Sequence, residues 1–173
     1  MSEILRQDES SFNSLETDID INNDNFMDIY VCKAGPPSEN DNRHNELFIN
    51  NGDLTFTEKS KEYGLDIVGL SVQANFFDYD KDGDLDCYLL SNSIKAVGNY
   101  DFIKDQRNKP TVNGNKLLRN DNNHFTDVTT EAHIYSSAIG FGLGITVSDY
   151  NKDSWPDIFI SNDFFERDYL YIK

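Results

Sequence analysis

Three nine-residue stretches carry oxygen-bearing side chains at the same positions. They are Asp20-Ile-Asn22-Asn-Asp24-Asn25-Phe26-Met-Asp28, Asp78-Tyr-Asp80-Lys-Asp82-Gly83-Asp84-Leu-Asp86 and Asp149-Tyr-Asn151-Lys-Asp153-Ser154-Trp155-Pro-Asp157. Carboxylate or amide oxygens stand at positions 1, 3, 5 and 9 of each. In a tightly curled loop, alternate residues turn such oxygens inward, position 7 can add a main-chain carbonyl and the Asp at 9 closes the shell. That set approaches the 6–8 hard oxygens at about 2.3–2.6 Å that Ca²⁺ takes, whereas Mg²⁺ demands an octahedron and keeps water. No His or Cys lies in the loops, which argues against zinc and copper. Position 6 favours a positive φ, which Gly83 adopts freely and Asn25 tolerates. Ser154 departs from that preference, and Pro156 restricts Trp155 to extended backbone. With five Asp, the middle loop is expected to bind a cation most tightly.

The elements that position these loops are equally repetitive. Each loop runs into a β-favouring segment: Ile29-Tyr30-Val31, Cys87-Tyr88-Leu89-Leu90 and Ile158-Phe159-Ile160. A helix–loop–helix calcium site starts alike but needs a bidentate acid at position 12, where this chain has Val31, Leu89 and Ile160. A second motif follows, Asn45-Glu46-Leu47-Phe48-Ile49-Asn50 and then Asn115-Lys116-Leu117-Leu118-Arg119-Asn120, with Asp168-Tyr169-Leu170-Tyr171-Ile172-Lys173 as a shortened third copy. Turn-rich residues such as Asn50-Asn51-Gly52-Asp53 then lead to Phe56-Thr57-Glu58 and Phe125-Thr126-Asp127, as hairpins do. Each unit reads as strand, acidic loop, strand, linker, strand, Asn-rich turn, strand. Only Thr57–Tyr63 and Val128–Ala132 offer a helical turn or two.

Counted from the loops, the chain divides into a degenerate lead-in strand at 1–19, repeat 1 at 20–77, repeat 2 at 78–148 with an insertion at 92–114, and a shortened repeat 3 at 149–173. Short antiparallel strands at this period predict an all-β fold, a partial β-propeller of four-stranded blades with about two full repeats and parts of two more. A propeller closes with about four to eight blades, so the remainder is expected from a longer chain or from self-assembly.

Composition bounds the partners. The 173 residues hold 31 acidic against 15 basic side chains, for a formal net charge of −16. Of the acids 22 are Asp and 9 Glu, beside 20 Asn, and 11 of the Asp lie in the three loops. Such a surface repels nucleic acid and anionic lipid. No window approaches the roughly 20 apolar residues that cross a bilayer, and residues 1–14 carry no secretory signal pattern. Cys32 and Cys87 fit no metal or redox spacing and are read as free thiols in preference to a disulfide.

Together, Phe141-Gly142-Leu143-Gly144, the acidic loop after it, Asp157-Ile-Phe-Ile-Ser-Asn162-Asp163, Asn115–Asn120 and Phe125-Thr-Asp-Val-Thr129 resemble the FG-GAP or VCBS repeats of the integrin-α N-terminal propeller superfamily. More narrowly they resemble bacterial repeats of the cartilage-acidic-protein type. The resemblance implies seven-bladed propellers, sometimes eight-bladed, with calcium in hairpin loops, secreted or surface-attached, acting in adhesion or in glycan or protein binding. Carried over, up to three Ca²⁺ would be held by Asp20, Asn22, Asp24 and Asp28; by Asp78, Asp80, Asp82 and Asp86; and by Asp149, Asn151, Asp153 and Asp157. Phe26, Asp84 and Trp155 would add carbonyls. The expectation is therefore an extracellular, periplasmic or cell-surface binding module rather than an enzyme, the alternative being a piece of a calcium-dependent polysaccharide-degrading enzyme. His44, His124 and His133 sit in turn-like stretches and read as solvated loop residues. Trp155, Tyr100, Phe164 and Phe165 are the aromatics that could stack on sugars.

Overall fold

Period-two alternation of apolar side chains decides how the strands associate. A computed structural model describes residues 14–34, 44–93, 114–163 and 166–173. In it β1 (Ser14–Ile19), β2 (Asp28–Lys33), β3 (Glu46–Asn50) and β4 (Phe56–Glu58) pair antiparallel in that order. The second sheet repeats the meander with β5 (Ser71–Phe77), β6 (Asp86–Ser91), β7 (Lys116–Asn120) and β8 (Phe125–Asp127). The third joins β9 (Gly142–Ser148), β10 (Asp157–Asn162) and β11 (Tyr169–Tyr171), with β10 central. A single helical turn, α1 (Ser60–Tyr63), links the first two sheets. The fold is all-β, a partial β-propeller whose successive sheets are its blades; among the described residues they close no barrel. Each acidic loop connects the first and second strands of a sheet, so each sheet begins one strand ahead of its loop. Tyr100, Phe164, Phe165 and most of the 92–114 insertion lie outside the described residues.

The blades stack face to face through two cores. Tyr30, Cys32, Leu47 and Ile49 of the first sheet pack with Ala74, Cys87, Leu89, Leu118 and Phe125 of the second. The other face of the second sheet supplies Tyr88, Leu90 and Leu117, which pack with Ile158 and Ile160 and the half-buried Ile145 and Val147 of the third. Strand β6 is therefore buried along its whole length, its alternate residues entering opposite cores. Cys32 and Cys87 are free, buried thiols of the first core, and burial pushes Cys32 up to about 12. They are poor nucleophiles and metal ligands in that state.

Two asparagines and an aspartate fix the strand ends. Asn45 Oδ1 accepts the Lys33 N–H at 2.9 Å, Asn115 Oδ1 the Ser91 N–H at 3.0 Å and Asp168 Oδ1 the Asn162 N–H at 2.8 Å. These side chains close the second-to-third strand connection in every sheet, and they explain part of the Asn excess by architecture. Asn45 also donates to the Tyr30 hydroxyl and to Ser71 Oγ, which ties the first sheet to the second.

Gly64 ends α1 in the left-handed region at φ 76°. A Cβ there would meet the Phe125 carbonyl oxygen at 2.7 Å, and that oxygen belongs to strand backbone that cannot yield cheaply. Left-handed strain and the clash together give Gly64→Ala an expected cost of about 1–3 kcal/mol. Thermal unfolding should show a midpoint lowered by several degrees; an unchanged midpoint would mean that the junction between the first two blades relaxes. His133 occupies the same place in the second repeat, also left-handed at φ 56°.

Candidate metal centre

All three acidic loops adopt one conformation, built by their own hydrogen bonds. At position 1, Asp20, Asp78 and Asp149 accept the N–H groups of positions 5 and 6, at 3.0 and 2.9 Å, 3.2 and 3.2 Å, and 3.1 and 2.8 Å. At position 5, Asp24, Asp82 and Asp153 accept the position 7 N–H of Phe26, Asp84 and Trp155 at 2.8, 2.9 and 2.8 Å. The curl requires left-handed backbone at position 6, with φ 70° at Asn25, 97° at Gly83 and 74° at Ser154. Ser154 therefore holds the glycine-type conformation despite its side chain. Position 4 is left-handed as well, at Asn23, Lys81 and Lys152, which the sequence reading did not anticipate.

Position 9 anchors each loop to its sheet. Asp28, Asp86 and Asp157 are fully buried. One oxygen of each accepts the position 2 N–H, from Ile21 at 3.1 Å, Tyr79 at 2.6 Å and Tyr150 at 2.8 Å. The other accepts an N–H from the third strand or just beyond it, Asn50 at 2.8 Å, Asn120 at 2.8 Å and Lys173 at 3.0 Å. Burial raises Asp28, and it raises Asp86 to about 6 against the opposing pull of the two N–H donors.

The loops differ at position 3, and there the middle loop separates from its neighbours. Carboxylate oxygens of Asp78, Asp80 and Asp86 lie within 4.8 Å of one another. Asp80 Oδ1 is buried and accepts no hydrogen bond. A buried carboxylate oxygen without a donor, facing two further carboxylates, is costly alone and suited to a hard cation. In the outer loops position 3 is Asn, and its amide takes up the charge of position 5. Asn22 Nδ2 donates to Asp24 Oδ2 at 2.9 Å and Asn151 Nδ2 to Asp153 Oδ2 at 2.7 Å. Among the described residues no comparable gathering of three acidic oxygens occurs in either outer loop. Asp82 and Asp84 lie in the middle loop but outside that triplet. The Phe26, Asp84 and Trp155 carbonyls sit where the loop's own hydrogen bonds hold position 7.

Basic side chains border the middle loop. Lys173 Nζ donates to the Tyr79 carbonyl at 2.6 Å and lies 3.5 Å from the Tyr79 ring centroid. The same ammonium lies 4.4 Å from the Trp155 ring, with Lys81 Nζ over that ring at 4.2 Å. Trp155 thus carries two cations of its own chain and is half-buried, which leaves less of it for a sugar than the sequence implied. These lysines were missed because no local spacing brings residue 173 to residue 79. The signal lay in the repeat, since Lys173 stands where Asn50 and Asn120 stand in the earlier copies. His44 and His124 are exposed and face the backbone carbonyls of Asp66 and Glu62 at 3.3 and 3.4 Å.

No curated protein matches the chain. Residues 20–89, which run from the first acidic loop through the middle one into β6, match the family of the FG-GAP-like repeat. The chain thus carries an FG-GAP-like repeat at residues 20–89, and the same loop, strand order and anchoring aspartate recur beyond that span.

Proposed function

We propose that this is a calcium-binding propeller module in which the metal has a structural role and the surface around it binds a glycan or protein ligand outside the cell. The observation that carries the calcium reading is the middle loop, with Asp78, Asp80 and Asp86 convergent and Asp80 Oδ1 buried without a donor. Asp82 and the Asp84 carbonyl complete the candidate set there. The outer loops, with Asp20, Asn22, Asp24, Asp28 and the Phe26 carbonyl, and with Asp149, Asn151, Asp153, Asp157 and the Trp155 carbonyl, are proposed as weaker sites. Their Asn–Asp hydrogen bonds must be exchanged for metal bonds. Calcium sites of extracellular modules fill at about 10⁻⁴–10⁻³ M calcium, and a site of that kind would act outside the cytoplasm. A binding role is favoured over a catalytic one, since the clustered acids are assigned here as cation ligands or as anchors that hold the loops.

Asp80 separates this reading from a merely acidic turn. Its side chain holds no backbone group, so Asp80→Ala is expected to leave the metal-free melting midpoint unchanged or raised. The same change should weaken calcium binding by at least about tenfold in a calorimetric titration, as loss of a charged ligand does. Equal calcium affinity in the variant and the parent would refute the site.

A further inference from the structure

The boundary between the second and third blades differs in charge from the one before it. Lys81 stands at position 4 of the middle loop and reaches Trp155, at position 7 of the third, with its Nζ 4.2 Å from the ring centroid. Lys173 reaches back. Its Nζ donates to the carbonyl of Tyr79, position 2 of the middle loop, at 2.6 Å. It also stands 3.5 Å from the Tyr79 ring and 4.4 Å from the Trp155 ring. Each of the two blades thus lends one ammonium to the other. The corresponding places between the first and second blades hold Asn23, Asp84, Asn120 and Ile21, with no cation and no ring. Asn120 shows the contrast best. Its N–H anchors Asp86 as the Lys173 N–H anchors Asp157, yet its amide stays on its own blade, donating to the Leu85 carbonyl at 3.2 Å.

A carbonyl and two aromatic rings hold these nitrogens, and none of the three cancels their charge. That charge is felt across the boundary. Partial burial lowers Lys173 below the ordinary ammonium value, while the carboxylates of Asp80, Asp86 and Asp78 act in the opposite direction. Those are the three carboxylates that converge in the middle loop. In the third loop Asp153 is held below its ordinary value by the Trp155 N–H and the Asn151 amide, with Lys81 adding to them. We propose that Lys81 and Lys173 are built-in counter-ions of these two loops, steadying the clustered carboxylates without a metal and opposing the entry of a divalent cation. The proposal rests on the calcium reading of the middle loop and adds what limits the affinity there. The loop with the most aspartates is thereby the one whose affinity the chain itself restrains. Both lysines are exposed, so salt screens the effect.

Calorimetric titration of the metal-stripped full chain with calcium tests this, in the parent and in Lys81→Met with Lys173→Met, which keeps the apolar stems and removes the charges. At low ionic strength the tightest site should gain affinity by about three- to tenfold, as removal of charges near a divalent ion at an exposed surface predicts. The gain should shrink as salt rises from about 0.01 M to about 0.15 M and the screening length falls from about 30 to about 8 Å. The metal-free melting midpoint should fall instead, since the carboxylates lose their counter-ions and the blades their cross-boundary contacts. Opposite signs for affinity and stability mark counter-ions, whereas loss of a merely structural prop would lower both. Lys81→Arg with Lys173→Arg keeps the charges and should keep the parental affinity. Lys81→Met alone, at an exposed loop position, should give part of the gain and serves where the double variant folds poorly. Equal or weaker calcium binding in the methionine variants overturns the proposal and leaves the calcium reading standing. A parent that binds no calcium, with its fold verified by circular dichroism, overturns both.

Discussion

Asp86→Ala should lower the melting midpoint of the metal-free protein by roughly 5–20 °C, from an expected cost of about 2–6 kcal/mol. The reason is the pair of main-chain groups that Asp86 satisfies. Its Oδ2 accepts the Tyr79 N–H at 2.6 Å and its Oδ1 the Asn120 N–H at 2.8 Å. The carboxylate is fully buried between loop and sheet, so water cannot replace it without opening the blade. Each orphaned N–H costs about 1–3 kcal/mol. Asp78→Ala is the proper comparison, because the N–H groups it releases, those of Asp82 and Gly83, lie in an exposed loop where water takes over. Asp86→Asn should fall between the two, since an amide keeps one acceptor and turns a donor toward the second N–H. If Asp86→Ala and Asp78→Ala destabilise the metal-free protein equally, position 9 is no anchor and the loops are held by their internal bonds alone.

Much of this arrangement was legible in the chain because it is local and repeated. The acidic loops, the strands they enter and the Asn50-Asn51-Gly52-Asp53 hairpin are each set within about ten residues. Position 6 was legible too, since Asn25 and Gly83 are residue types that tolerate its backbone, while Ser154 shows hydrogen bonding overriding that preference. The double role of position 9 was not legible. Asp86 looked like one more cation ligand, yet its partner at Asn120 lies 34 residues away and is brought close only by pairing of β6 with β7. Asn at position 3 also looked like a ligand equal in kind to Asp80. The difference lies in the amide hydrogens, which give Asn22 and Asn151 a way to neutralise position 5 that Asp80 lacks. Sheet phase was hidden for a further reason: a sheet begins at a strand, whereas the eye begins a repeat at its most distinctive residues, the aspartates.

The same buried aspartates make the metal-free protein lose stability as pH rises, and calcium should cancel that loss. Burial raises Asp28 and takes Asp86 from 3.8 to about 6. A carboxyl whose folded value is raised binds its proton more tightly in the native state than in the unfolded chain. Its stabilising contribution is thus complete below about pH 4 and is lost as pH rises through about 6. Asp53, Asp121, Asp127 and Asp153 are held below the ordinary value, so their contribution changes under pH 4 and leaves this window clear. Metal-free protein is therefore expected to melt at a higher temperature at pH 5 than at pH 7.5. Calcium takes only the ionised carboxylates, so its binding releases protons and its contribution grows as pH rises through the same window. At about a hundred times the dissociation constant it adds about 2.7 kcal/mol, worth roughly 5–10 °C here. The gain in calcium binding between pH 5 and pH 7.5 is about as large as the loss from Asp86, so with calcium in excess the midpoint should be nearly the same at the two pH values. Differential scanning calorimetry of metal-stripped protein, with and without added calcium at both pH values, reads the two slopes directly. An equal fall with and without calcium would show that the cation does not reach Asp86, and Asp80→Ala should reproduce the metal-free slope even in calcium.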